Sequence, residues 1–101
     1  MICRRRFAEV VAGQLNIFER DHSGLLRDCE EAERAYDRAP RQEAEERYGD
    51  YVDLVGTGTE LLAEMRDNYA AALDEDAAEE YTAAFNRAVL KRFPRFALEI
   101  E

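Results

Sequence analysis

Tryptophan is absent from this 101-residue chain, histidine occurs once, and proline and cysteine occur twice each. With His22 alone, one chain lacks the several convergent imidazoles that many metal sites use. The two cysteines, Cys3 and Cys29, would lie about 40 Å apart on a continuous helix rising roughly 1.5 Å per residue, far beyond disulfide reach. Both are expected to be reduced thiols. Cys29 falls on an apolar seam and reads as a small core residue, whereas Cys3 sits beside Arg4, Arg5 and Arg6 without the His or second Cys that thiol catalysis requires. No apolar run approaches the roughly 20 residues needed to span a bilayer. The charged opening Met1 to Arg6 is not followed by the apolar stretch and cleavage site of a signal peptide, so a cytoplasmic protein is expected.

Positive charge is also scarce. Twenty-three acidic residues against fourteen basic ones give a net charge of -9, and Lys91 is the sole lysine. Nucleic acid and anionic membranes are poor partners for such a chain, because binding either depends on cations displacing counterions or meeting lipid headgroups. A chain of this length forms one domain, residues 1–101, too small to enclose a deep catalytic pocket in a single copy.

Apolar residues, by contrast, are plentiful and regularly spaced. One series runs through Val11, Leu15, Phe18, His22, Leu25, Cys29, Ala32 and Tyr36, and another through Ala44, Tyr48, Tyr51, Val55, Gly58, Leu62, Met65, Tyr69 and Ala72. Steps of three and four keep side chains on one helical seam, the pattern of coiled-coil packing. Ala39-Pro40 separates the two series, since a proline and the residue before it both resist helix. The expected fold is all-α: a long antiparallel, coiled-coil-like helical hairpin with a shorter third helix and an irregular apolar C-terminal tail. Helix 1 covers about 3–38, helix 2 about 41–73, helix 3 about 75–93, and the tail 94–101.

Each hairpin arm has a weak point. Asp21-His22-Ser23-Gly24 interrupts helix 1 with poor helix formers, and Val55-Gly56-Thr57-Gly58-Thr59 does the same in helix 2, where Thr57 and Glu60 have capping-box spacing. The seam keeps its phase across both, which favours continuous helices, kinked at most. Helix 3 opens on Asp74-Glu75-Asp76, suited to the positive end of a helix dipole, and closes on Lys91-Arg92 before Pro94.

A turn centred on Pro40 sets His22 level with Gly58, Leu25 with Val55, Phe18 with Leu62 and Leu15 with Met65. Gly58 is then expected to admit the imidazole or a close helix crossing. The third helix is about half as long as the arms at helical rise, so it covers only the half of the hairpin near the amino terminus. The other half, Asp28 to Asp53, holds ten acidic residues and four arginines, a net -6. Its seam alternates small residues with Tyr36, Tyr48 and Tyr51, and the tail adds Phe96 and Leu98. These five residues are the candidate interaction set, because an uncovered seam calls for a second copy or another protein.

Chemistry-bearing patterns are sparse. Glu19 and His22 have the Glu-x-x-His spacing that places a carboxylate and an imidazole on adjacent turns, and the di-metal sites of ferritin-like bundles use two such motifs with two further glutamates. In this chain such a site would need a dimer, with Glu60 or Glu64 as the added ligand. Gly56-Thr57-Gly58-Thr59 lacks the strand and lysine of a phosphate-binding loop. The reading that follows is a non-enzymatic helical interaction or structural protein without cofactor, self-associating as a homodimer, with a dimeric ferritin-like metal-binding bundle as the alternative. The chain has neither the Trp-x-Gly turn of small exported helical hairpins nor the zinc-binding cysteines of coiled-coil factors that enter RNA polymerase.

Overall fold

The computed structural model describes residues 6–98, which are all-helical: four α-helices and a short 3₁₀ turn, with no strand among the described residues. The helices are α1 (Ala8–Asp21), α2 (Ser23–Arg38), α3 (Arg41–Ala70) and α4 (Glu75–Arg92), followed by the 3₁₀ turn Pro94–Phe96. The molecule is elongated, 52 × 26 × 23 Å. None of these helices is long and apolar enough to cross a membrane. Cys3, Arg4, Arg5, the first residues assigned to helix 1 and the last of the tail lie outside the described residues.

The first arm is two helices rather than one. His22 leaves the helical region, with φ -123° and ψ 32°, at the position where Asp21, Ser23 and Gly24 together weaken helix formation. The hydrogen-bond ladder nevertheless crosses the break, because His22 N–H donates to Phe18 O at 2.9 Å and His22 O accepts from Leu26 N at 3.1 Å. The apolar seam therefore stays in phase: Val11, Leu15 and Phe18 are buried on α1, and Cys29 and Ala32 on α2.

The second arm is continuous. α3 runs through Gly56-Thr57-Gly58-Thr59 without a restart, and Thr57 does not cap: its hydroxyl donates to Asp53 O one turn back, at 3.2 Å. In this geometry a threonine satisfies itself within the helix. α4 begins as its sequence dictates, with the Asp74 carboxylate accepting from Ala77 N at 2.8 Å, and it stops at Phe93 before Pro94.

The core lies where all four helices and the 3₁₀ turn converge. Tyr81, Phe18, Phe85, Phe96, Leu15, Leu62, Val89 and Cys29 are its largest fully buried side chains. Aromatic edges meet faces at three of its contacts: Phe18 packs on Phe93 at 5.5 Å and on Phe96 at 6.0 Å, and Phe7 on Tyr81 at 5.5 Å. Such contacts exploit the positive edge and negative face of the rings. Two polar groups are satisfied inside, Tyr81 OH donating to Gln14 Oε1 at 2.8 Å and Arg66 Nη1 to Asn86 Oδ1 at 2.9 Å.

Gly58 serves a different neighbour from the one its register suggests. A β-carbon there would fall 2.7 Å from Phe96 Cζ, an overlap, so the missing side chain makes room for the tail. His22 instead lies against Phe18, ring centres 5.2 Å apart and tilted by 40°.

Candidate functional site

The part of the molecule left uncovered by α4 is the end formed by α2 and the amino-terminal half of α3. Tyr36 and Tyr48 lie there with ring centroids 5.3 Å apart, and both are exposed, at 39% and 52%. Val52, on the next turn of α3, is 44% exposed. This is the same seam that is closed further along the molecule, continued into a region where no other element among the described residues covers it.

Tyr51 lies in a different setting from its two companions. The Arg95 guanidinium sits 5.8 Å from its ring centroid, and Arg95 Nη2 also donates to Glu33 Oε1 at 2.8 Å. One arginine thus ties the tail to both α2 and α3, combining an ion pair with a cation–π contact. Phe96 and Leu98, expected from sequence as interaction residues, are placed in the chain's own core, at 1% and 9% exposure. The apolar tail packs along its own helices because Gly58 offers a notch and Arg95 a latch. Of the five residues, Tyr36 and Tyr48 are the ones that remain exposed.

Beside the tyrosines runs a groove of about 270 Å³, lined by Asp28, Glu31, Ala32, Ala35, Arg47, Asp50 and Leu54. Small apolar residues make its floor, three carboxylates stand around it, and Arg47 offsets part of their charge by lying 3.6 Å from Asp50 and 3.8 Å from Glu43. The groove is thus apolar at its base and acidic on balance at its edge.

The residues of the metal-binding alternative do not assemble within one chain. Glu19 is exposed and paired with Arg92, Glu60 and Glu64 are exposed on α3, and His22 packs on Phe18. No group of three or more His, Cys, Asp or Glu side chains among the described residues is arranged to hold a metal ion.

Two other titratable groups are shifted by their surroundings. Burial pushes the Cys29 thiol above its ordinary value of 9.0, partly offset by the nearby Arg95 charge and hydrogen bond. Burial likewise raises the Tyr81 phenol above 10.0, with the Gln14 hydrogen bond acting in the opposite direction. A thiol held neutral is a poor nucleophile, so Cys29 is a packing residue. Arg6 reaches Glu80 at 3.6 Å, an ion pair with α4.

No protein-family model, curated protein or solved structure matches the chain.

Proposed function

We propose that this chain is a non-enzymatic helical interaction protein, a single cytoplasmic domain that self-associates as a homodimer through the exposed end of its α2–α3 pair. In this reading α2 and α3 form an antiparallel, coiled-coil-like hairpin whose free end is the working surface. The observation that carries it is the exposed Tyr36–Tyr48 pair, whose rings touch at a tilt of 55° and continue a buried seam beyond the described elements that close it. Aromatic side chains with a polar tip tolerate solvent in the free chain and still bury large apolar area on association.

The test is sedimentation velocity on the wild type and on a Tyr36→Ala/Tyr48→Ala variant, with circular dichroism as a folding control. The reading predicts a wild type that sediments as more than a monomer and a variant that sediments as a monomer with nearly unchanged helicity. Unaltered association of the variant would place the contact elsewhere.

A further inference from the structure

A second groove lies at the opposite end of the molecule, between α1 and α4. It has a volume of about 450 Å³ and an apolar floor that includes Ala8, Ala12, Ala84 and Ala88. Ala8 and Ala12 are one turn apart on α1, and Ala84 and Ala88 one turn apart on α4, so two small-residue steps face each other. That width lets the side chains of another helix settle against the floor.

The edge of this groove is basic in a chain whose net charge is -9. Arg87, Lys91 and Arg92 line it. Arg92 is offset by its pair with Glu19, whereas neither Arg87 nor Lys91 is within salt-bridge distance of a carboxylate among the described residues. Both are exposed and lie one turn apart on the same face of α4. The chain thus carries two apolar grooves of opposite electrostatic sign. The α2–α3 groove has Asp28, Glu31 and Asp50 against a single cation, Arg47, and the α1–α4 groove has Arg87, Lys91 and Arg92 with no carboxylate in its lining.

We infer that the α1–α4 groove is the docking site for the acidic α2–α3 end of a second copy of this chain. The inference rests on the self-association proposed above and adds the surface that receives it. Tip against tip would set two acidic segments of net -6 against each other, and like charges facing across an interface are strongly unfavourable. Tip against α1–α4 groove replaces that repulsion with attraction while covering both apolar floors. The two faces belong to different elements, so in a dimer closed by a two-fold axis each tip meets the partner's groove and the contact occurs twice.

Charge reversal tests this directly, because both faces are exposed and the core is untouched. One variant carries Arg87→Glu/Lys91→Glu and the other Glu31→Lys/Asp50→Lys, each checked for wild-type helicity and measured by light scattering alone and mixed in equal amounts. Each variant alone should associate at least about tenfold more weakly than the wild type, since like charges then face each other. The mixture should recover association, because an acidic tip again meets a basic groove, and the lysine-bearing groove of the other tip meets an acidic one. Both variants keep a net negative charge, so recovery on mixing has no source in overall attraction.

Wild-type association by the Arg87→Glu/Lys91→Glu protein would overturn the groove assignment while leaving the α2–α3 reading intact, and so would a mixture that stays monomeric. A wild type that is itself monomeric would remove both. An Arg87→Gln/Lys91→Gln variant supplies the milder control: weakened association that no longer strengthens at low salt is expected, and unchanged salt dependence counts against the groove.

Discussion

α3 passes through two environments with one and the same spacing of apolar residues. Around Gly58 and Leu62 it is closed, with Phe18, Phe96 and Tyr81 packed about it at 1%, 1% and 0% exposure. Around Tyr48 and Val52 it is open, at 52% and 44%. Periodicity tells which face of a helix is apolar, not how many neighbours will cover it. The covering depends on the lengths of the other elements, since α4 and the 3₁₀ turn end before they reach the α2–α3 end.

The largest effect belongs at the closed end. Phe96→Ala removes a buried ring wedged between Gly58 and Phe18, and should cost about 3–5 kcal/mol in a denaturant titration, as large-to-small changes in cores do. A cost below about 1 kcal/mol would mean that the tail is not part of the core.

Gly58→Ala sharpens the same point. Alanine in a helix interior is favoured over glycine by about 1 kcal/mol, yet the added methyl overlaps the Phe96 ring, and overpacking costs roughly 1–3 kcal/mol. A modest net destabilisation is expected in the wild type. In the Phe96→Ala background the overlap disappears, so the same substitution should become stabilising, a change of sign that a double-mutant cycle in denaturant measures.

Alkaline pH should also act through the closed end. Burial raises both the Cys29 thiol and the Tyr81 phenol above 9.0 and 10.0 respectively. Below those values both groups are neutral in the folded and unfolded chains, so their stabilising contribution is fully present. As pH rises past them the unfolded chain loses its protons first, and stability falls until the folded groups titrate as well. Denaturation midpoints should therefore decline above about pH 9, and Tyr81→Phe should reduce the decline above about pH 10 at the cost of one buried hydrogen bond, about 1 kcal/mol. A flat profile from pH 8 to 11 would contradict the burial of both groups.

The smallest stability effect is expected at the open end. At a concentration low enough to keep the chain monomeric, Tyr36→Ala/Tyr48→Ala should change stability by less than about 1 kcal/mol, because exposed side chains contribute little to the fold. A loss comparable to that of Phe96→Ala would show that the tip is held by the core after all.

Much of this architecture is legible in the sequence. The seams through Phe18 and Leu62, the turn at Ala39-Pro40, the Asp74 cap and the stop before Pro94 all follow from spacing and backbone chemistry. The break at His22 was visible only as a weak point, because an unbroken apolar phase is equally compatible with a straight helix and with one whose hydrogen-bond ladder bends across a single residue. The notch at Gly58 was legible as a notch but not as the seat of Phe96, since a residue thirty-eight positions away is joined to it only by the path of α4 and the tail. Tyr51 has the same spacing as Tyr48, and its separation from the open surface depends on Arg95 arriving from that tail. The basic groove of Arg87 and Lys91 was hidden for a similar reason: alanines on α1 and α4 become one surface only once the two helices lie side by side.

The most direct test of the account is the solution mass of the wild-type chain by light scattering over a wide concentration range. A species of about twice the 11.7 kDa chain mass that dissociates only on dilution is the predicted result, with the α2–α3 end covered by a second copy. A mass of 11.7 kDa at every concentration would contradict it, leaving the exposed tyrosines without a partner of their own kind.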